Sequence, residues 1–206
     1  MVTGNIRHYA ASIEKLKHVC NARKGEPIFG MTMIVFKGRT VLVADTNVED
    51  FPSSTRLVEI SKSCVRVSRL FGFEPKVAFL SHSTFGKPIS RNTKHVRDAI
   101  EMLKKENVQF DFDGEMQPDV ALNPIYQDVY PFSKIVGRAN ILIMPALHSA
   151  AISTKLMKSF GGAKLIGPLL IGLDLPIEVA PLRSSTSDIL NLASIAAYSS
   201  DIIDYN

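Results

Sequence analysis

Apolar positions along the chain follow two different spacings, and their alternation predicts an α/β fold. Apolar residues recur three and four apart most clearly in residues 54–71 and 92–106, which predicts amphipathic helices there. Further helices are predicted over 8–19, 149–160 and 185–198, and a short helix is predicted to end near Pro124. Runs rich in β-branched residues predict strands at "IFGMTMIVF", "TVLVAD", "KVAFLS", "VQFDF", "ANILIMP" and "AKLIGPLLIG". We therefore expect a three-layer α/β/α architecture, with helices on both faces of a largely parallel mixed sheet.

The segments that follow predicted strands are the candidates for a ligand site, because α/β sheets bind ligands beyond the carboxyl ends of their strands. They are "SHSTFG", "DFDGEM", "PALHSA" and "PLRSSTSD". The second of these is predicted to be a loop that continues through "DGEMQPD" into a short helix.

Composition narrows the class of protein. The 206 residues are 46% apolar and 21% charged, which is ordinary for a globular protein of one large or two small domains. The net charge of +4 is not interleaved with aromatic residues, so we expect no nucleic-acid binding. The longest apolar stretches are too short or too interrupted to span a bilayer. Cys20 and Cys64 form no disulfide or metal pattern, and the first residues show no secretory signal, so we expect a cytoplasmic location.

Polar residues in three of these segments admit two interpretations each. Ser83 and Thr84 offer hydroxyls that could cradle an anion with His82 beside them, or they could simply form a polar connection. Glu115 lies among aspartates that could perform acid–base chemistry or bind Mg²⁺, but such residues more often form solvated turns, and we expect no metal here. His148 stands at a helix start and either faces a cleft or is structural.

The segment from Pro181 to Leu192 carries the sharpest local signal. Ser185 and Asp188 are three apart, the spacing of a capping box with Asp in place of Glu. A cap alone does not require Arg183 and Ser184 as well. A guanidinium, hydroxyls and the free N–H groups of a helix start together favour a bound phosphate group.

Several segments in order resemble the phosphate acetyl/butyryl transferase family. They are "VAFLSHSTFG", "DGEMQPDVALNP", "ANILIMPALHSAAISTKLMKSFGGAKLIGPLLIGLDLP" and "SDILNLASIAAY". The segments "VTGNIRHYAASIE" and "GRTVLVADTNVEDFP" resemble the phosphotransacetylase-like C-terminal domain of bacterial NADP-dependent malic enzymes. The resemblance implies two lobes of the isocitrate-dehydrogenase type with coenzyme A and acyl phosphate in the cleft between them. Residues 1–180 would form the second lobe, and residues 181–206 the loop and helix that return to a first lobe absent here.

The same resemblance bears on catalysis. Active transferases of the family carry a Ser-Arg pair shortly before the Asp that matches Asp188, and in that register the pair falls on Pro181 and Leu182. A family arginine near the start of the region falls on His8, beside Arg7. We therefore expect no catalytic residue in this chain. We expect coenzyme A or phosphate to contact Ser83, Thr84, Arg183, Ser184, Ser185 and Asp188, with Arg7, His82, Glu115 and His148 as possible cleft residues.

Three functions remain open at this point. The resemblance favours a non-catalytic domain that binds acetyl-CoA as a regulatory effector, while the alternatives are an active phosphate acetyltransferase and a ligand-free oligomerising scaffold. No GxGxxG fingerprint occurs, so NADP and a divalent metal are expected only in a malic-enzyme catalytic domain of the same polypeptide. The last predicted helix is apolar on most of its circumference, so it is expected to be buried, and a homodimer or higher oligomer is expected.

Overall fold

A computed structural model describes residues 1–44, 48–89 and 91–203, with side chains described as far as residue 199. The described helices are α1 (Tyr9–Val19), α2 (Ser54–Leu70), α3 (Lys94–Glu106), α4 (Pro118–Leu122), α5 (Leu147–Gly161) and α6 (Thr186–Ile203). The described strands are β1 (Val2–Gly4), β2 (Phe29–Phe36), β3 (Arg39–Ala44), β4 (Lys76–Leu80), β5 (Asp111–Met116), β6 (Ile141–Ile143), β7 (Lys164–Ile171) and β8 (Glu178–Ala180). Strands and helices alternate through the middle of the chain, as the sequence pattern predicts.

The main sheet has six strands in the order β5-β4-β6-β3-β2-β7. Strands β5, β4, β6 and β3 pair in parallel, whereas β2 is antiparallel to both of its neighbours. The β2–β3 hairpin turns at Lys37 and Gly38, which both have positive φ values of 48° and 73°. Two such residues match the right-handed twist of the strands that they join. The predicted α/β class with a largely parallel mixed sheet is therefore confirmed.

Apolar side chains cover both faces of this sheet. On one face, α2, α3 and α6 pack over a cluster centred on Phe29, Phe79 and Ile141, all fully buried. On the other face, α4 and α5 contribute Ala121 and Ala150 to a second cluster. The structure thus has the three layers that the sequence predicts. None of its described helices is both long enough and apolar enough to cross a membrane.

A separate two-stranded parallel sheet joins β1 to β8. The strands approach so closely at Gly4 that a Cβ there would lie 2.4 Å from the carbonyl oxygen of Ala180, so only glycine fits. The Oε2 of the Glu178 carboxyl group accepts a hydrogen bond from the backbone N–H of Leu170 at 2.9 Å. Strand β7 is an edge strand of the main sheet, so the Leu170 N–H has no strand beside it to which it could donate, and the side chain of Glu178 accepts its hydrogen bond instead. The bond thereby connects the two-stranded sheet to the main sheet.

Two sequence predictions are corrected by the fold. Strand β5 begins at Asp111, near the end of "VQFDF", rather than at Val108, and "DGEM" belongs to the strand instead of a loop. The strand reaches so far because it pairs residue by residue with the buried strand β4, up to a register shift between Phe79 and Leu80. Helix α6 is buried on one face only: Leu192 is 1% exposed, whereas Leu190 is 66% exposed.

Candidate functional site

The loop that leaves β4 folds over one buried carboxylate. Glu115 is 1% exposed, and its Oε1 accepts hydrogen bonds from the Ser83 hydroxyl and the Gly86 N–H, each at 3.0 Å. Arg97 of α3 places Nη1 3.4 Å from the same oxygen. The hydroxyl oxygens of Ser81 and Ser83 lie 3.1 Å apart. These five residues, the Glu115 network, compensate the buried charge and fix the loop between β4 and α3.

The network changes the interpretation of Ser83. Its side chain is fully buried and donates to Glu115, so the expected surface hydroxyl of an anion cradle is not found. Thr84 exchanges backbone hydrogen bonds with Lys87, and its hydroxyl oxygen accepts from the N–H of Gln117 at 3.2 Å. Both hydroxyls therefore hold the carboxyl ends of β4 and β5 together.

Histidines lie along the same edge of the sheet. His82 and His148 are both exposed, His82 two residues after the end of β4 and His148 in the first turn of α5. The sequence analysis missed His95, whose Nε2 lies 2.9 Å from the carbonyl oxygen of Pro145 and whose ring centroid is 4.5 Å from that of Phe51. Its position on the partly buried side of α3 gives no distinctive sequence signal, because the surrounding pattern is that of an ordinary amphipathic helix.

The aspartate two residues before Glu115 is structural. Asp113 is 8% exposed and accepts hydrogen bonds from the backbone N–H groups of Gly114, at 2.9 Å, and Lys134, at 2.8 Å. Within the described part of the chain, no group of three or more His, Cys, Asp or Glu residues is arranged to hold a metal ion.

A second site forms in residues 181–188, which we call the arginine loop. It comprises the connection between β8 and α6 and the first residues of α6. Arg183 has a left-handed backbone with φ of 61°, and its N–H donates to the carbonyl of Asn5 at 3.3 Å. The Ser184 hydroxyl donates to the carbonyl of Pro181 at 2.8 Å. This tight turn leaves the Arg183 side chain exposed, with no described ion-pair partner.

The start of α6 carries the predicted capping box. The Asp188 carboxylate accepts from the Ser185 hydroxyl at 2.8 Å and from the Ser185 N–H at 3.0 Å, while the Asp188 N–H donates to the Ser185 hydroxyl at 3.2 Å. The Ser185 hydroxyl, and after it the Ser185 N–H, hold the pKa of Asp188 below its ordinary value. Asp188 therefore fixes the loop beside Arg183 as an anionic capping residue.

A second cation lies in the neighbouring segment. Because β1 and β8 are parallel, residues 5–7 and 181–183 leave the same end of this pair, and the Asn5 N–H donates to the Ala180 carbonyl at 2.9 Å. Arg7 is exposed two residues after Asn5. The structure thus brings the segment of Arg7 beside the arginine loop.

The arginine loop and Ser83 belong to different regions of the molecule. Ser83 follows β4, whereas the arginine loop follows β8, which packs beside β7. Three strands, β6, β3 and β2, separate β4 from β7. At about 4.8 Å per strand spacing, β4 and β7 are roughly 19 Å apart. A single phosphate group does not span this separation, so the expectation that one ligand contacts Ser83, Thr84 and Arg183 stays a prediction for a longer ligand.

Comparison with known proteins defines the class to which this fold and these loops belong. Residues 1–197 match the profile of the family described as phosphate acetyl/butaryl transferase. The chain belongs to this family. Its fold superposes on a phosphotransacetylase from Streptococcus pyogenes with a TM-score of 0.90 and 29% sequence identity, over 98% of this chain and 63% of that one.

The relatives also separate into two kinds. An NADP-dependent malic enzyme of Rhizobium meliloti is 43% identical over 198 residues, which are 96% of this chain and 26% of that protein. A phosphate acetyltransferase of Bacillus subtilis is 30% identical over 199 residues, which are 96% of this chain and 62% of that protein. The chain thus spans about a quarter of the malic enzyme and less than two thirds of the transferase, and the predicted similarity to the malic-enzyme branch is confirmed.

Proposed function

We propose that this chain is the phosphotransacetylase-like part of an NADP-dependent malic enzyme, and that it binds acetyl-CoA as an effector without transferring its acetyl group. One observation carries the proposal. The family resemblance puts Pro181 and Leu182 at the positions of the Ser-Arg pair, and the structure leaves Arg183 of the same loop exposed. The loop retains groups suited to an anion and lacks the side chains that the transferases use.

The charges of the loop support binding of a phosphate-bearing ligand. Arg7 and Arg183 are both exposed where the β1 and β8 segments run side by side, and the first N–H groups of α6 lie next to them. Guanidinium groups and helix N-termini both favour phosphate oxygens. Asp188 is engaged by Ser185, so it stiffens the loop while the arginines receive the ligand.

An active phosphate acetyltransferase is the alternative function. It is favoured by the similarity to the Bacillus subtilis phosphate acetyltransferase and by Arg183, which lies one residue beyond the position of the family arginine. Stabilising an acyl-phosphate transition state requires a guanidinium placed within about 0.5 Å, so a shift of one residue argues against this alternative.

The two functions are separated by an assay of acetyl phosphate formation. We expect purified protein to form none from acetyl-CoA and phosphate, while the Bacillus subtilis enzyme, assayed in parallel, does. Turnover by this protein that Asp188→Asn abolishes would contradict the proposal and establish the alternative.

The remaining parts of the proposal concern the assembly. NADP and a divalent metal would bind to a malic-enzyme catalytic domain of the same polypeptide, and this chain would hold neither. Residues 1–180 would act as one lobe, with residues 181–206 forming the connection to another lobe. We further propose that the protein works in the cytoplasm as a homodimer or higher oligomer.

A further inference from the structure

A cavity lies far from the Glu115 network, between the edge of the main sheet and two helices. Its volume is about 390 Å³, and its walls come from the end of β7, the connection to β8, the end of α2 and the second half of α6. The walls are mainly apolar, with contributions from Val67, Leu70, Leu173, Ile177 and Ile195. This volume lies within the range of small-molecule sites, about 300–1,000 Å³.

A single buried carboxyl group lines this cavity. Glu178 is 4% exposed, and the Leu170 N–H is the hydrogen bond donor to its Oε2. Burial raises the pKa of Glu178 to about 8, against smaller lowering effects of the Leu170 N–H and the amino group of Met1. At pH 7 the carboxyl group is therefore mostly protonated, and this wall of the cavity carries little charge.

Two arginines with partly exposed side chains line the solvent-facing part of the cavity, which we call its mouth. Arg23 and Arg66 line the cavity, and both contact Glu26: the Arg66 guanidinium forms an ion pair with it, and Arg23 Nη1 lies 3.7 Å from its Oε1. Arg23, Arg66 and Glu26 together therefore carry a net charge of +1. Apart from these arginines and Glu178, the described residues that line the cavity carry no charged side chain, including those of β7 and α6.

We propose that this cavity binds an amphiphilic monocarboxylate, with its apolar chain between α2, α6 and β7 and its carboxylate at Arg23 and Arg66. The apolar walls match a hydrocarbon chain, and the single positive charge at the mouth matches one anionic end. The site is distinct from the arginine loop and does not depend on the proposed binding of acetyl-CoA.

The first experiment measures octanoate binding to the purified protein by calorimetry at pH 7, with octan-1-ol as the uncharged control. We expect saturable binding of octanoate and binding of octanol at least ten-fold weaker. Arg66→Gln should weaken octanoate binding at least ten-fold, whereas Arg138→Gln, at an exposed arginine outside the cavity, should leave it unchanged. Absence of octanoate binding, equal affinity for octanol, or an unaffected Arg66→Gln variant would overturn the proposal.

The second experiment tests whether the ligand lies against Glu178. Over pH 7 to 9 the carboxyl group loses its proton, and the new charge beside the hydrocarbon chain should lower octanoate affinity roughly ten-fold, in step with the protonated fraction. Arg23 and Arg66 keep their charge over this range, and the amino group of Met1, which also acts on Glu178, is common to both proteins compared. Glu178→Gln stays neutral, so its affinity should fall much less than that of the unchanged protein from pH 7 to 9. An equal fall of affinity in Glu178→Gln and the unchanged protein would place the ligand elsewhere.

Discussion

At the scale of single residues, neighbouring side chains of the arginine loop have different roles: some fix the loop, and one is free to contact a ligand. Ser185 and Asp188 satisfy each other and the start of α6, while the Arg183 backbone is fixed by its hydrogen bond to Asn5. The exposed guanidinium is thereby presented from a rigid turn. A rigid loop loses little conformational entropy when it binds, so even a single cation there contributes measurably to affinity.

Replacing the exposed guanidinium should weaken ligand binding and leave the fold unchanged. We expect Arg183→Ala to lower acetyl-CoA affinity roughly ten- to a hundred-fold, because a charge-assisted hydrogen bond contributes about 1.5–3 kcal/mol. Calorimetric titration with acetyl-CoA measures the change, and Arg138→Ala serves as the control on an exposed arginine elsewhere. Unchanged affinity in Arg183→Ala would remove this residue from the site.

Removing the Ser185 cap at the start of α6 should instead lower the free energy of unfolding. Ser185→Ala removes both the acceptor for the Asp188 N–H and a donor to its carboxylate, at a cost of about 1 kcal/mol in the free energy of unfolding. Urea unfolding of the variant and the unchanged protein at pH 7 measures this difference. Equal urea midpoints would show that the cap contributes nothing to stability.

Because the pKa of Asp188 is lowered, the contribution of this residue to the free energy of unfolding should depend on pH. A carboxyl group with a depressed folded-state pKa stabilises the fold above its unfolded pKa, about 3.9, and loses this effect as pH falls through the folded value. The difference in unfolding free energy between the protein and Asp188→Asn should therefore be largest near neutral pH and shrink in acid. Urea titrations from pH 7 to 3 measure it, and a constant difference would contradict the assignment.

At the scale of secondary structure elements, the sequence predicted most helices and strands because their apolar spacing is regular. It failed where neighbours impose the structure: β5 has Asp111, Asp113 and Glu115 along its length, and only its pairing with β4 makes it a strand. Strands β1 and β8 have three residues each, which is too short for a recognisable pattern. The burial of Ser83 was likewise hidden, because it depends on a glutamate thirty-two residues away in the chain.

The Glu115 network should be important for the β4–α3 connection. Glu115→Gln keeps the shape of the side chain but removes the charge that compensates Arg97, and it turns one oxygen into a donor facing the Ser83 hydroxyl or the Gly86 N–H. We expect a loss of about 1–3 kcal/mol in unfolding free energy, measured with urea. Glu59→Gln is a matched control, since its ion pair with Arg56 lies at the surface and should contribute less than about 1 kcal/mol. Similar losses in both variants would contradict this role.

At the scale of the whole molecule, helix α5 presents an apolar face to solvent. On α5, Ile152, Leu156 and Phe160 are spaced four apart and are 59%, 50% and 88% exposed. On α6, Leu190 is 66% exposed. Exposed apolar patches on otherwise soluble domains mark surfaces of association, which supports the proposed oligomer.

The α5 face should form the contact between copies, because it carries the larger set of exposed apolar side chains. We expect a homodimer at micromolar concentration and a shift to monomer in Leu156→Glu, both measured by sedimentation velocity. Lys155→Glu, at an exposed position on the same helix, should remain dimeric. A monomeric unchanged protein would contradict the homodimer, and a dimeric Leu156→Glu would exclude this face.

The β1–β8 pair has a consequence for how the chain folds. Val2 pairs with Glu178, so a contact between residues 176 positions apart (178 − 2) must form before this small sheet exists. Closing so long a loop costs more entropy than forming the local β2–β3 hairpin, and contacts of high sequence separation slow folding. The arginine loop is anchored to this pair through Asn5 and therefore acquires its shape late. In refolding experiments, recovery of acetyl-CoA binding should lag behind recovery of helical circular dichroism.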